Sequence, residues 1–497
     1  IPRHLLFEKL LKYNITGKFY NSIKNMYTRD FACISIDGKL TEPFSVTRGV
    51  KQGCILSPLL FNIFLSDLPE SLGQGESRPV YIDGTKSLNS LLWADDLLIL
   101  SETEQGLRNM LGNLVEYTKN NIIEVNLDKT KCMIFNKTGR LIGRNFWLGN
   151  HKLAMVREYK YLGFLITPSL NLHTALADLR DRGLRAYGSL KSKLGDLFRR
   201  HIHTTIHLFD TLVKPILLYA SDFWGCLKLP RINPVENLHI KFCKELLGLG
   251  IYATNLGAML ELGRYPLIIF GKKNSAKNWE RIAQKNMANP ILTNSYHNSV
   301  DNGWAFSIKD YFSRIDLMDI FQNTPPRSGK APNLCIFIRE KYIFQQSSLA
   351  EIKQMSKMKT YSTLKNRLSP EGYLTSVQNI SDRIALTRLR LSNHQLMIEK
   401  GRHQNITLVT DRTCQFCPSK VENEFHFLLK CPTYTSLREG LLKKIKASLV
   451  GFSYPTDEQF LFWLMLCCPR ISQYTARYIK LAMELRAFLL ENPKNHT

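Results

Sequence analysis

Asp95 and Asp96 stand between two apolar arms, in Leu91-Leu92-Trp93-Ala94-Asp95-Asp96-Leu97-Leu98-Ile99-Leu100. Burying a carboxylate in such surroundings is costly unless something pairs with it. The end of a hairpin facing a cleft can hold such a pair beside divalent metal. Two-metal phosphoryl transfer uses carboxylates there to fix Mg2+ ions about 3.5–4 Å apart. The same letters also describe a polar turn on an ordinary exposed hairpin, and the motif alone leaves both readings open. Upstream, Thr47-Arg48-Gly49-Val50-Lys51-Gln52-Gly53-Cys54-Ile55-Leu56-Ser57-Pro58-Leu59-Leu60-Phe61 sets a basic loop before a helix N-terminus. Gly49 and Gly53 let backbone come close to a phosphate or sugar, and the helix end favours an anion. A capped helix with two turn glycines is the plainer alternative. A third set is Cys414-x2-Cys417-x8-His426-x4-Cys431. Three thiolates and one imidazole make a closed tetrahedral Zn2+ shell of the structural kind. His201, His203 and His207 lack a nearby acid or cysteine and are not read as ligands.

The elements that must position these groups form an α+β pattern, helices packed on an antiparallel sheet, over the first ~165 residues. Leu5, Leu6, Leu10 and Leu11 line one face of an opening helix. Phe31 to Ile36 and Lys39 to Val46 flank Asp37-Gly38, a dipeptide suited to a tight hairpin. Ser57-Pro58 reads as an N-cap and first-turn proline for a helix from Leu59 to Leu68. A Gly/Ser-rich loop (71–79) leads to a second hairpin, Leu88–Trp93 and Leu97–Leu100, with Ala94-Asp95-Asp96 at its tip. A helix from about Glu104 to Lys119 follows, then strands at 131–135, 145–148 and 159–166. From Leu170 the pattern turns helical. Leu184, Tyr187, Leu190, Leu194 and Leu197 form an apolar stripe, with Arg180, Arg182, Arg185, Lys191, Lys193, Arg199 and Arg200 on the other faces. Asn233-Pro234 with Glu236 opens another helix. Residues 289–333, rich in Asn, Ser and Pro, read as a linker. Helices resume by about 349, give way to the Cys/His segment at 412–432, and return from 435. Cys467-Cys468 reads as helix core.

The 497 residues carry 67 Lys and Arg against 42 Asp and Glu, a formal charge of +25. A surplus that large implies a polyanionic partner, most economically nucleic acid. The 44% hydrophobic content excludes a disordered chain. The most apolar run, Phe460 to Cys468, stops at Pro469 and is far short of the ~20 residues a membrane span needs, so no membrane is expected. Eleven cysteines without framework spacing fit a reduced, intracellular setting.

The glycine–Ser-Pro block and the Ala-Asp-Asp hairpin, about forty residues apart and in this order, resemble the palm of reverse transcriptases of non-LTR (long interspersed element type) retrotransposons. The resemblance implies that Asp95, the principal ligand, and Asp96 bind Mg2+, and that Gln52, Gly53 and Ser57 contact template or nucleotide. Trp93 stands where the family more often has Tyr or Phe, and keeps an aromatic at the primer terminus. Val125-Asn126-Leu127-Asp128-Lys129-Thr130-Lys131-Cys132-Met133-Ile134-Phe135 resembles the next palm motif. Its lysine, Lys131 ahead of Lys129, assists nucleotide binding or pyrophosphate departure. Tyr159-Lys160-Tyr161-Leu162-Gly163 resembles the primer-grip turn, and the basic helices over 170–250 resemble the thumb. Arg388-Leu389-Arg390-Leu391-Ser392-Asn393-His394 with Cys414, Cys417, His426 and Cys431 resembles the zinc knuckle found after the thumb in several clades.

The implied organisation is a partial fingers/palm (1–168), thumb (169–250), helical connector with polar linker (251–385), zinc-knuckle region (386–435) and C-terminal helices (436–497). The family's first palm motif, with an aspartate contacting both metals, ends just before a segment resembling Ile1-Pro2-Arg3-His4-Leu5-Leu6. The sequence is therefore expected to begin just past it, and Glu8, Asp30, Asp37 and Glu42 do not substitute. The expected activity is RNA-templated addition of deoxynucleotides to a DNA 3′ end, with the 497 residues alone expected to be inactive. The implied partners are an RNA template, a DNA primer or target and deoxynucleoside triphosphates, in a ribonucleoprotein of nucleus and cytoplasm. The alternative is a non-catalytic nucleic-acid-binding remnant of a decayed element.

Overall fold

In a computed structural model of the chain, the leucines spaced three and four apart near the N-terminus do form a helix, Arg3–Lys12. The structure describes all residues except 83–86, 231–232, 285–289, 302, 323–331, 419, 450–454, 456 and 493–497. Two units emerge, residues 1–171 with 286–303 and residues 172–285 with 304–497.

In the first unit, Leu6 and Leu10 are fully buried against Ile23 and Tyr27 of the Gly17–Thr28 helix and Leu60 and Phe64 of the Ser57–Phe64 helix. The helix expected to run to Leu68 stops at Phe64, and a second begins at Leu68. A buried lysine explains the break. Lys9 Nζ donates to the Phe64 carbonyl (2.6 Å), one of the helix's otherwise unpaired C-terminal acceptors, and to Asp67 Oδ1 (2.7 Å). Tyr117 Oη donates to the same carboxylate oxygen at 2.6 Å. Burial pushes the Asp67 carboxyl up, but these two hydrogen bonds outweigh it and hold it below its usual range.

The hairpin at Asp37-Gly38 forms with both turn residues at positive φ, 48° and 80°. Its strands are shorter than expected: Ser35–Ile36 pairs with Lys39–Leu40, and Phe31–Ala32 with Phe44–Ser45. The Glu104–Asn120 helix starts at Thr103, whose Oγ1 accepts the Gly106 N–H at 3.0 Å. Leu111, Leu114 and Tyr117 on this helix build a second core with Leu72, Phe146, Leu148 and Leu153. The expected antiparallel sheet is instead a set of two-stranded hairpins and one three-stranded sheet. In that sheet Phe146–Leu148 pairs antiparallel with His151–Met155, which pairs parallel with Lys131–Cys132. Strands this short cannot carry a continuous ladder, so helix packing supplies the cohesion. The mixed α+β class stands.

In the second unit the Leu172–Leu194 helix buries Leu176, Leu179, Gly183, Tyr187 and Leu190. The expected stripe is therefore displaced: Leu184 and Leu197 are exposed. Gly183 is the reason, because a Cβ there would lie 2.4 Å from Leu217 Cδ2. The bare backbone face packs, and the neighbouring leucine turns outward. Asn233 caps the Pro234–Leu247 helix as expected, accepting the Val235 N–H at 3.0 Å. The segment expected as a linker contains helix Pro290–Asn298, which belongs to the first unit, and helices Trp304–Arg314 and Met318–Gln322, which belong to the second. Ala305, Ile308, Tyr311 and Phe312 are buried at helical spacing, an apolar face masked by the surrounding polar composition. Pro325-Pro326 lies outside the described residues. At the centre of the unit, Arg390 is fully buried between Glu261 (2.7 Å) and Glu371 (2.9 Å) and donates to the Leu466 carbonyl (2.7 Å).

Candidate functional site

The Asp95-Asp96 hairpin forms as strands Ser90–Trp93 and Asp96–Ile99, with Trp93 paired to Asp96 and Ala94-Asp95 as the turn. Ala94 takes φ 52°, a left-handed conformation that is strained for a residue with a Cβ. Side chains alternate across the two strands. Leu92, Leu97 and Ile99 face the core of the first unit. Leu91, Trp93 and Asp96 face outward; Trp93 is 67% exposed, and both aspartates are exposed. The costly burial considered for the carboxylates does not arise, because the apolar arms put only alternate residues inside. A second hairpin, Tyr159–Tyr161 with Phe164–Ile166, turns through Leu162 and Gly163, both at positive φ. The Tyr161 phenol on its first strand is pushed up by burial and then by the negative charge of Asp96.

The loop before the Ser57–Phe64 helix is wired to the first helix. Arg3, itself buried, donates through Nε to the Gly49 carbonyl (3.1 Å) and through Nη1 to the Tyr27 (2.6 Å) and Val46 carbonyls. Its Nη2 pairs with Asp30 Oδ2 at 2.7 Å, and Lys51 Nζ reaches Asp30 Oδ1 at 3.0 Å. Lys51 first, then Arg3, hold the Asp30 carboxyl below its usual range. This clamp was not read from the sequence, where Arg3 and Asp30 carry no pattern. Gln52 and Gly53 are exposed, and Gly53 takes φ 82°. Ser57 departs from expectation twice. Leu56 occupies the N-cap position, without a side-chain cap, and Ser57 is buried with Oγ 3.3 Å from Tyr27 Oη. Its hydroxyl serves the core that supports the loop. Lys131 is exposed on its strand, next to buried Cys132, and Lys129 lies in the turn that Asn126 Oδ1 closes by accepting its N–H at 3.0 Å.

Among the expected thumb cations, Arg180 pairs with Asp181, Arg182 with Asp178 and Lys191 with Glu245, while Arg199 donates to the Glu245 carbonyl. Arg185, Lys193 and Arg200 are exposed with no acidic partner among the described residues.

Cys414, Cys417, His426 and Cys431 converge, with all four donor atoms within 4.8 Å of one another. The Cys431 sulfur is 3.9 Å from that of Cys414 and 3.8 Å from that of Cys417. Tetrahedral zinc with Zn–S bonds of about 2.3 Å requires sulfurs about 3.8 Å apart, so the spacing fits. His426 Nε2 is buried without a hydrogen-bond partner, an orphan a ligand would satisfy. The Cys414 thiol's hydrogen bond pulls the Cys431 thiol down to about 3, while Cys414 itself is raised. The Cys414 N–H donates to the Lys420 carbonyl (2.7 Å) and the Lys420 N–H to the Cys417 carbonyl (3.0 Å), closing the first turn. The second half is held by groups unremarked in the sequence. Glu422 makes a buried two-pronged pair with Arg486, both bonds 2.8 Å, and Glu424 binds His394 Nε2 at 3.0 Å. Among the described residues this is the one group of three or more side chains placed to hold a metal; no third ligating side chain joins Asp95 and Asp96.

Residues 1–166 match the reverse transcriptase (RNA-dependent DNA polymerase) family. The chain is 28% identical over 172 residues to the retrovirus-related Pol polyprotein from type-2 retrotransposable element R2DM of Drosophila melanogaster, covering 33% of the chain and 16% of that protein. It is 30% identical over 237 residues to the Pol polyprotein from type-1 retrotransposable element R2 of Nasonia vitripennis, covering 43% and 22%. It is 20% identical over 238 residues to the RNA-directed DNA polymerase from mobile element jockey of Drosophila melanogaster, covering 46% and 25%. The chain thus spans a quarter or less of the length of these relatives. No helix among the described residues is long and apolar enough to cross a membrane. The N-terminal third of the chain is thus similar to a reverse transcriptase domain, and its likeness is to the reverse transcriptases of non-LTR retrotransposons.

Proposed function

We propose that the first unit carries part of the active site of an RNA-directed DNA polymerase, which adds deoxynucleotides to a DNA 3′ end on an RNA template. One observation carries the reading: Asp96 and Trp93 share the outward face of a hairpin whose inner face is core. Asp95 and Asp96 offer hard oxygen donors in the open, which suits Mg2+, an ion that keeps several waters and takes one or two carboxylates plus substrate phosphates. Bound there, magnesium would neutralise charge on the transferred phosphoryl group. Trp93 offers its exposed ring to the terminal base of the primer. Gln52 and Gly53, on the loop clamped by Arg3 and Asp30, present backbone and amide to template or nucleotide, and Ser57 acts by fixing that loop. Lys131 receives the departing pyrophosphate. Two carboxylates are too few for two metals, so another segment of the working polymerase must bring the third.

The zinc-knuckle region is proposed to hold one structural Zn2+ on Cys414, Cys417, His426 and Cys431, and to contact RNA or target DNA. A second reading, a nucleic-acid-binding remnant without catalysis, draws on the missing third ligand among the described residues.

The discriminating experiment is primer extension on a mixed-sequence RNA template, with the 497-residue chain and with a polypeptide extended upstream through the element's coding sequence. The chain alone is expected to be inactive and the extended form active. Asp95→Ala should then cost about a thousandfold, the equivalent of about 4 kcal/mol of lost charge stabilisation. Extension unaffected by Asp95→Ala refutes the assignment, and inactivity of the extended form favours the remnant.

A further inference from the structure

In the second unit several buried or half-buried cations have carboxylate partners, while Arg383 and Arg412 donate to backbone carbonyls instead. Arg390 has Glu261, Arg264 has Asp210 (2.6 Å), Lys365 has Glu371, Lys272 has Glu340 (2.7 Å) and Arg486 has Glu422. Three half-buried lysines differ from both groups. Lys214, Lys273 and Lys341 make no ion pair among the described residues and lie over aromatic rings instead. Lys341 Nζ is 4.2 Å from the Phe337 ring centre and 4.7 Å from that of Tyr265. Lys273 Nζ is 4.7 Å from the same Phe337 ring. Lys214 Nζ is 3.4 Å from Phe270, whose ring centre lies 5.3 Å from that of Phe337. The rings thus draw three ammonium groups from three segments into one cluster: Lys214–Leu217, the Leu267–Gln284 helix and the Pro332–Gln354 helix.

The neighbouring acids are already engaged. Asp210 is gripped at both oxygens by Arg264, and one Glu340 oxygen takes both Lys272 and the Tyr311 hydroxyl. The three lysines therefore repel one another. Burial first, and then the surrounding cations Arg264, Lys341 and Lys273, hold the Lys214 ammonium below its usual range, against a contrary pull from Asp210. Lys341 is held down in the same way by burial and by Lys273. Cation–π contact offsets only part of such a cost, about 0.5–2 kcal/mol per pair. A multiply charged anion would offset the rest.

We infer that Lys214, Lys273 and Lys341 form a phosphate-binding cluster for the backbone of a single-stranded RNA, read without regard to sequence. The lysines are compact point charges with no planar fork for base edges, which suits phosphate contact without base readout. The partner class rests on the nucleic-acid reading of the whole chain; the location does not depend on the aspartate hairpin.

The test is fluorescence anisotropy of a short mixed-sequence single-stranded RNA against salt. Four proteins are compared: the 497-residue chain; the triple variant Lys214→Gln, Lys273→Gln, Lys341→Gln; the triple Lys→Arg variant at the same positions; and a control with the same charge loss at exposed positions of the Thr435–Ser448 helix, Lys443→Gln, Lys444→Gln, Lys446→Gln. Each lost phosphate contact on a single strand removes about 0.7 from the slope of log affinity against log salt. The cluster variant should therefore lose about 2 in slope and about a hundredfold in affinity at ~0.1 M salt, for every RNA sequence. The control should lose much less, and the triple Lys→Arg variant should keep most of the binding, which also covers a glutamine variant that fails to fold. Equal losses in cluster and control variants overturn the site while leaving the nucleic-acid reading intact. Absence of RNA binding by the unaltered chain overturns both. Competition by poly-glutamate as strong as by RNA overturns the nucleic acid as occupant.

Discussion

Removing zinc should loosen one half of the Cys/His segment and leave the other in place. The sequence suggests that everything between Asp411 and Pro432 depends on the metal, since apolar anchors are few. In the structure Phe427 and Leu428 are fully buried, each worth about 1.5–3 kcal/mol. The Tyr478 hydroxyl donates to both their carbonyls, and Glu422 not only pairs with Arg486 but accepts the Met397 N–H at 2.6 Å. Removing one member of a buried pair of this kind costs about 3–5 kcal/mol. The turn around Cys414 and Cys417 has less among the described residues: the two short backbone bonds already described, the Glu422 N–H on the Arg412 carbonyl (2.9 Å) that completes the Thr413–Val421 bridge, and the Phe416 ring edge-on to Tyr434 at 6.4 Å. With free zinc at about a thousand times its dissociation constant, binding stabilises the metal-dependent conformation by about 4 kcal/mol. Chelation should therefore cost the Cys414 and Lys420 amides up to about a thousandfold in hydrogen-exchange protection. Phe427, bonded to Asn423 (3.0 Å), and Cys431, bonded to His426 (2.8 Å), should change by less than about tenfold. Cys417→Ser should reproduce the pattern. The measurement is amide exchange by mass spectrometry or NMR on the 497-residue chain with and without chelator, with zinc counted by elemental analysis. Uniform loss across 412–431, or no change anywhere, refutes the reasoning, as does a carefully reduced protein without one zinc per chain.

Two further predictions concern the helical unit. At Gly225 a Cβ would lie 2.1 Å from the Gly271 carbonyl oxygen, so Gly225→Ala should destabilise the chain by about 1–3 kcal/mol or more, whereas Gly188→Ala, with open space around its Cβ, should gain about 0.5–1 kcal/mol; urea midpoints of the two variants test the contrast. Glu261→Gln leaves Glu371 as the one carboxylate paired with the buried Arg390 among the described residues and should cost up to about 3–5 kcal/mol at neutral pH. Burial raises the Glu261 carboxyl, but Arg390 outweighs it and the net position is below the ordinary value. Its contribution is thus complete above the unfolded pKa of about 4.3 and fades as pH falls through the lower folded value. Urea midpoints measured down that range should fall less steeply in Glu261→Gln than in the unaltered chain.

Local chemistry was legible in the sequence where it involves neighbours. Asp37-Gly38 and Asn233-Pro234 each depend on a few adjacent residues and form as read, and the Cys/His spacing over 414–431 brings its four side chains together. Pairings across long separations were not legible. Arg390 and Glu261 are 129 residues apart, and Arg486 and Glu422 are 64 apart, and nothing in a hydrophobic period marks either pair. Ser57 shows the same limit. Ser-Pro before an apolar run looks like a cap, and only Tyr27, 30 residues away, takes the hydroxyl into the core. The displaced stripe on the Leu172–Leu194 helix follows from a glycine whose value lies in the leucine opposite it, which no single-helix pattern contains. The 289–333 segment was misread because its polar composition outweighed an aromatic face with correct helical spacing.

The exposure of Asp95 and Asp96 bears directly on how the catalytic proposal is tested. Each buried acid described in the second unit supports the fold, so substituting it confounds stability with chemistry. Neither hairpin aspartate makes an ion pair among the described residues, and both stand on the outward side of a turn whose inner face is already packed. Substitutions at such positions usually change stability by no more than about 0.5 kcal/mol. A thousandfold loss of templated synthesis in Asp95→Ala, at unchanged urea midpoint, therefore cannot be an unfolding effect. The strain at Ala94 sharpens the point. The left-handed turn holds Asp95 outward at a cost of about 1–2 kcal/mol, which the fold of an isolated hairpin gains nothing by accepting. A turn selected only to connect two strands would favour glycine or asparagine at that position. The strained Ala94 turn, beside two exposed carboxylates and an exposed tryptophan, therefore suits the proposed catalytic hairpin better than a merely connecting one.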